Sequence, residues 1–304
     1  MTRVAAIDCG TNSIRLLVAD VTDQLQQLDR RMQIIRLGEG VDETGSFSAA
    51  ALNRAFDACR EYQGIIEDLG AERVRFVATS ASRDADNSAE FTDGVTRILG
   101  VTPEIVSGAE EAQLSFDGAT RGLDLEPPVL VFDIGGGSTE FIRGAASPEA
   151  SISVDMGCVR FAERFAHHDP MTAVEREEIE SAVSRMLDDV VPVVPFEGVN
   201  SLIGLAGTVT TMTGIALGLA EYDSEKIHRA VTSAAAIRRT TEDLVAMTSG
   251  QRRDMGIMHP GRADVIAAGA LILEGIMARS GANEVAASEH DILDGIAWSL
   301  AATE

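Results

Sequence analysis

Asp8-Cys9-Gly10-Thr11-Asn12-Ser13-Ile14 and Asp133-Ile134-Gly135-Gly136-Gly137-Ser138-Thr139 are two copies of one pattern, set apart by a constant offset of 125 residues. Each copy follows an apolar β-type run (residues 4–7 and 129–132) and precedes another, so each reads as a strand, a tight glycine-containing turn and a second strand. Gly-x-x-Ser alone is common. Asp-x-Gly-x-x-Ser twice, in the same context and at domain-sized spacing, implies two related α/β domains facing a central cleft.

Working outward from the first copy, strands are expected over 3–8, 14–21 and 30–37. Leu52, Ala55, Phe56, Cys59, Tyr62, Ile66 and Leu69 then recur at helical spacing up to Gly70, a C-terminal cap. Strands follow at 73–79 and 102–106, and a helix starts at Ser107 and runs to about residue 118. The turn-rich stretch 122–128 marks the domain boundary. Around the second copy, strands are expected over 129–133, 139–143 and 151–154. A capping box at Thr172 and Glu175 opens a helix whose core face is Ile179, Ala182, Val183, Met186, Leu187 and Val190, with Pro192 ending it. A strand at 202–205, a buried helix at 262–278, a strand at 284–287 and a helix at 292–301 complete the chain, and Pro148, Pro170 and Pro260 fall between elements. The expected domains are 1–122, joined by a C-terminal helix at about 291–304, and 123–290.

The 304 residues suit two cores of ordinary size. No apolar run approaches the roughly 20 residues of a membrane span; the longest, 265–273, stops at Glu274. Asp8 interrupts the N-terminal apolar run too early for a secretory signal. Cys9, Cys59 and Cys158 are odd in number and lack paired spacing, which fits a reducing cytoplasm. A net charge of −23 argues against nucleic acid as a partner. One lysine, Lys226, accompanies 24 arginines, so any phosphate clamp must be built from arginine and main-chain amides.

Glycine turns let converging N–H groups approach anionic oxygens closely. Asn12, Ser13, Gly136, Gly137, Ser138 and Thr139 are therefore candidate phosphate donors. An aspartate ending the strand before each turn would repel phosphate unless a cation intervened, so Asp8 and Asp133 are candidate Mg²⁺ ligands, direct or through water. The five histidines make no metal-ligand spacing.

These segments resemble the exopolyphosphatase/guanosine pentaphosphatase family, relatives of actin, sugar kinases and Hsp70-type chaperones. The resemblance is carried by the first turn, by Thr79-Ser80-Ala81-Ser82-Arg83-Asp84-Ala85 and Ser107-Gly108-Ala109-Glu110-Glu111-Ala112, and by the second turn through Glu140. It continues through Asp155-Met156-Gly157-Cys158-Val159-Arg160, Ala206-Gly207-Thr208 and Arg262-Ala263-Asp264-Val265-Ile266, in the family's order and over nearly the whole chain. It implies two actin-like (ribonuclease H-like) domains, a catalytic carboxylate at Glu111, a phosphate-contacting arginine at Arg83, an adenosine-side turn at Gly207-Thr208, and a homodimer. Local physics supports Glu111 over its neighbour: with Ser107 as N-cap, Glu110 is the N3 residue whose side chain turns back to the cap.

The expected reaction is hydrolysis of a terminal phosphoanhydride bond, with inorganic polyphosphate as substrate or guanosine pentaphosphate (pppGpp) as the alternative. Water attacks, Glu111 accepts its proton, and Mg²⁺ or Mn²⁺ near Asp133 and Glu140 works with the amides of residues 136–139. Asn12, Ser13 and Arg83 grip the departing chain. A sugar kinase would need a sugar-binding acid that is not found, and a non-catalytic nucleotide-binding module would not need Arg83 or the Glu110-Glu111 helix start. Larger family members carry further C-terminal helical domains. This sequence stops after its final helix, so a preference for short chains is expected.

Overall fold

The computed structural model describes residues 1–39, 41–123 and 125–302, with main chain only at 42, 43, 80, 84 and 302. The chain divides into two compact units, residues 1–118 with 291–304, and residues 119–290.

In the first unit, β1 (Thr2–Cys9), β2 (Ser13–Val21) and β3 (Leu25–Ile34) form an antiparallel meander. After α1 (Val41–Thr44) and α2 (Ala49–Leu69) comes β4 (Arg73–Ala78), parallel to β1. Then follow α3 (Ser80–Asp84), α4 (Ser88–Leu99), the short β5 (Glu104–Ile105) and α5 (Gly108–Thr120). The sheet order is β3-β2-β1-β4-β5. β1 and β2 are covered on both faces, which is why they read as near-continuous apolar runs. One face packs on α2 and α4 through Tyr62, Phe76 and Phe91. Leu17 and Val77 of the other face pack with Leu293, Ile296 and Trp298 from the end of the chain.

The second unit begins with the meander β6 (Val129–Ile134), β7 (Thr139–Gly144) and β8 (Pro148–Val154), followed by α6 (Cys158–Phe165) and α7 (Ala173–Val190). β9 (Ser201–Leu205) and α8 (Ala206–Ala216) come next, then α9 (Ser224–Ile227), β10 (Val231–Ser233), α10 (Ala234–Ala246) and α11 (Ser249–Arg253). α12 (Ile266–Ser280) and β11 (Glu284–Ala287) close it, and α13 (Ile292–Ala302) returns to the first unit. The order β10-β11-β9-β6-β7-β8, read from β8, repeats the first sheet: a three-stranded meander followed by two parallel strands. β10 is an antiparallel addition at the far edge. A single core of Leu130, Phe132, Phe141, Leu187 and the apolar length of α12 fills this unit.

Several boundaries differ from the sequence reading. β3 occupies 25–34 rather than 30–37 because it is an edge strand: exposed Gln26 and Gln27 and half-buried Asp29 hide its start, and the chain leaves the ladder after Ile34. Pro148 lies within β8 as its first residue, a place where an edge strand tolerates proline. The helix expected over 262–278 starts at Ile266, after a 3₁₀ turn at Pro260–Arg262. The last two residues of the expected C-terminal helix lie outside the described residues. Among the described residues, no helix is long and apolar enough to cross a membrane.

Candidate active site

Strands β1, β4 and β5 are parallel, and their C-terminal ends lie level: Cys9 pairs with Ala78, and Ala78 with Ile105. The three segments that follow therefore share one edge of the first sheet, the edge at which α/β proteins place ligands. They are the turn at Gly10, the segment carrying Arg83, and the segment carrying Glu111. Arg83 donates from one guanidinium nitrogen to the Val106 carbonyl (2.7 Å) and from both terminal nitrogens to Glu111 Oε2 (3.1 and 3.2 Å). Two residues expected to act separately are thus an ion pair, each side chain about 30% exposed.

The neighbouring Glu110 corrects one expectation. Its amide does donate to Ser107 Oγ (3.2 Å), so Ser107 caps α5. Its carboxylate does not turn back to the cap but accepts from Arg75 (2.8 Å), because a guanidinium shared with Glu104 offers a charge-assisted bond.

The Gly10 turn is held by its carbonyls. Asn12 O accepts from the amides of Ile35 (2.9 Å) and Arg36 (2.8 Å), and Thr11 O from Gly38 (2.9 Å). A Cβ on Gly38 would overlap the Thr11 methyl, so the turn that braces this segment passes as glycine. Asn12 is exposed and Ser13 half-buried at the start of β2.

In the second unit β6, β9 and β11 also run parallel and end at one edge. The carbonyls of the β6–β7 turn are all engaged from one side. Gly135 O accepts from Cys158, and Gly136 O from Val159 and Arg160. Gly137 O accepts from Arg160 Nε at 2.7 Å. Among the described residues, no hydrogen bond engages the amides of Gly136, Gly137 and Ser138, which makes the turn a nest for anionic oxygens. Gly157 makes this bracing possible, since a Cβ there would overlap the Gly136 carbonyl. The side chains do something other than expected. The Thr139 hydroxyl is fully buried and donates to Met156 O, and the Ser138 hydroxyl donates to Glu140 Oε1 (2.6 Å). Ser153 donates to the same oxygen at 2.7 Å.

The two turns differ in charge. Asp8 pairs across the ladder with Arg15, and Arg15 Nε and its terminal nitrogen donate to Asp8 Oδ2 at 2.9 and 2.7 Å. Burial lifts the Asp8 carboxyl above its ordinary range, against the pull of Arg15. At the equivalent ladder position of the second unit, Asp133 faces Glu140. Two carboxylates directly opposite on one sheet face repel each other and suit a hard cation with oxygen ligands. Among the described residues no group of three or more such side chains could hold a metal by itself. Mg²⁺ would therefore complete its shell with water and substrate oxygens, as it usually does.

The Ppx/GppA phosphatase family model matches residues 17–304, nearly the whole chain. The chain belongs to that family. Exopolyphosphatase 2 of Mycobacterium tuberculosis is 44% identical, over 99% of each chain. A crystal structure of an exopolyphosphatase-like protein matches at 40% identity with a TM-score of 0.84, over 98% of each chain. The type II variant of the Aquifex aeolicus Ppx/GppA phosphatase matches at 29% identity with a TM-score of 0.89, over 99% of each. As a Ppx/GppA member the chain is a phosphoanhydride hydrolase with the actin-like fold that the repeated hairpin suggests.

Sequence reading of this Ppx/GppA chain gave no role to Gly38, Gly157 or Arg160, and took Arg15 as a source of positive potential for the substrate rather than as the partner of Asp8. Arg160 belongs to a recognised motif, yet its bond to Gly137 O depends on α6 starting at Cys158, which no periodicity announces. Ala206, at φ +65°, opens α8 in the left-handed region, and Gly207 packs so tightly under the Arg262 guanidinium that a Cβ would overlap it. Backbone strain of this kind gathers at functional sites.

Proposed function

We propose that this chain is an exopolyphosphatase that removes the terminal phosphate of linear polyphosphate as orthophosphate, using Mg²⁺ or Mn²⁺. The observation that carries the reading is the contrast between the two equivalent turns. An arginine neutralises the aspartate of the first, whereas in the second another carboxylate, Glu140, opposes Asp133 beside amides that no hydrogen bond engages among the described residues. This asymmetry suits a cation and a phosphate held together in the second unit, and leaves Asp8 the weaker metal ligand. The name of the M. tuberculosis relative supports polyphosphate.

In this reading the amides of Gly136, Gly137 and Ser138 bind oxygens of the phosphate under attack and stabilise the charge that develops there. Ser138 and Ser153 fix one oxygen of Glu140 and thereby its orientation. Arg83 aims Glu111, whose carboxylate takes a proton from the attacking water. Asn12 and Ser13 hold the departing chain. A divalent cation, when bound at Asp133 and Glu140, would neutralise phosphate oxygens and help to align them.

The test is side-by-side turnover of a linear polyphosphate and pppGpp by the purified protein with Mg²⁺. A higher kcat/KM for polyphosphate is expected. A clear preference for pppGpp would replace the proposed substrate.

A further inference from the structure

Arg36 lies against the first turn in a conformation that side-chain-bearing residues avoid. Its φ is +46°, and its amide donates to Asn12 O at 2.8 Å. Ile35 and Gly38 are bonded to the same turn, so the main chain at 36 is fixed from both sides. Its own carbonyl accepts from Glu39 N and Arg54. Glycine would adopt this conformation without strain, yet the position carries the largest cationic side chain. The guanidinium is exposed and, among the described residues, has no hydrogen bond or ion pair, whereas nearby Arg54 is paired with Glu39. In a chain of net charge −23, an uncommitted cation beside a phosphate turn is unusual.

We propose that Arg36 is a substrate contact that holds the part of a polyphosphate chain leading away from the first turn. The inference rests on reading 10–13 as a phosphate turn and polyphosphate as the substrate. A guanidinium engages two phosphate oxygens with parallel N–H bonds, a geometry that lysine does not reproduce. Asn12 is tied to Arg36 through the main chain, so the side chain starts one residue's reach from the turn. Strain at 36 is then the cost of presenting a fork there.

The test compares Arg36→Gln, Arg36→Lys and Arg36→Gly with Arg185→Gln, a charge-matched control exposed on α7. For a medium-length polyphosphate, KM rises about tenfold in Arg36→Gln and Arg36→Gly, with kcat within about twofold of wild type. Arg36→Lys falls between, and Arg185→Gln matches wild type. The slope of log KM against log salt flattens by about one in the neutral variants. Arg36→Gly melts no lower than wild type, because the left-handed backbone suits glycine. Isothermal titration with the same polyphosphate after exhaustive chelation of divalent cations reads the contact without turnover. Wild-type protein that binds but does not cleave polyphosphate refutes the proposed function and leaves the contact to the titration. Unchanged KM, salt slope and affinity in Arg36→Gln refute the contact alone.

Discussion

Glu110 and Glu111 are adjacent on one helix, yet one is bound to Arg75 and the other to Arg83, and their replacement should separate structure from chemistry. Glu111→Gln is expected to lower kcat by about two to four orders of magnitude, the usual worth of a general base, with unchanged melting. Near-normal turnover in a folded Glu111→Gln protein would remove the assignment. Glu110→Gln weakens a half-exposed pair and should cost less than about 1 kcal/mol, read by urea denaturation. Arg15 is the opposite case. It holds buried Asp8 and also Asp291 (2.5 Å), so Arg15→Met strands the buried Asp8 carboxylate, while Arg30 still faces Asp291, and should destabilise by about 3 kcal/mol. Asp8→Asn should cost less, because burial already disfavours that charge. If Asp8→Asn proves the more damaging in the same denaturation series, the arginine is not there to compensate the aspartate. The sequence reading singled out Glu111 and Arg83 through the family resemblance, and Asp133 through the repeated turn with Glu140 on the strand beside it. It could not reach the Arg15–Asp291 bond, because 276 residues separate the partners.

Elements meet where glycine permits. On Gly118 of α5 a Cβ would overlap the Asp291 carbonyl, and on Gly295 of α13 it would overlap the Leu114 carbonyl. Gly295→Ala should therefore destabilise by about 1–3 kcal/mol, whereas Gly64→Ala on α2, with nothing near its Cβ position, should be neutral or stabilising. Equal effects in thermal melts would mean that the two helices do not cross so closely. At the start of α7, the capping box expected from Thr172 and Glu175 is formed, and Glu175 does more than cap. Burial alone would raise its pKa, but bonds from Thr172 N–H, the His168 ring, His167 N–H and the Thr172 hydroxyl carry it well below the usual carboxylate range. A depressed pKa stabilises the fold above the ordinary glutamate value of about 4.3 and loses that contribution as pH falls below it. Glu175→Gln should thus be less stable than wild type at neutral pH, and the difference should shrink on acidification. A constant difference across the acid range would contradict the shift. The apolar period of α7 was legible because its core face is regular. β3 was not, since an edge strand with polar residues on 26, 27 and 29 carries little alternation.

At the scale of the whole molecule, the repeated Asp-x-Gly-x-x-Ser turn was enough to imply the duplicated sheet, because a strand–turn–strand unit is local and its copy is visible in one sequence. What the repeat conceals is the divergence within it, Arg15 in one copy and Glu140 in the other. That divergence predicts metal dependence: exhaustive chelation should abolish turnover and added Mg²⁺ restore it, and full activity after chelation would contradict a cation at Asp133 and Glu140. The net charge of −23 also bears on substrate length. Exposed charges act over about 8–10 Å at ordinary ionic strength, so a long polyanion meets repulsion that a short one escapes. Short polyphosphates should have the higher kcat/KM, and added salt should narrow the gap. The most direct measurement is the product pattern from an end-labelled polyphosphate of defined length, with released orthophosphate counted in parallel. The account predicts a ladder that shortens one phosphate at a time, with one orthophosphate for each bond cleaved. Mid-length fragments formed without orthophosphate, or no cleavage at all, would contradict it.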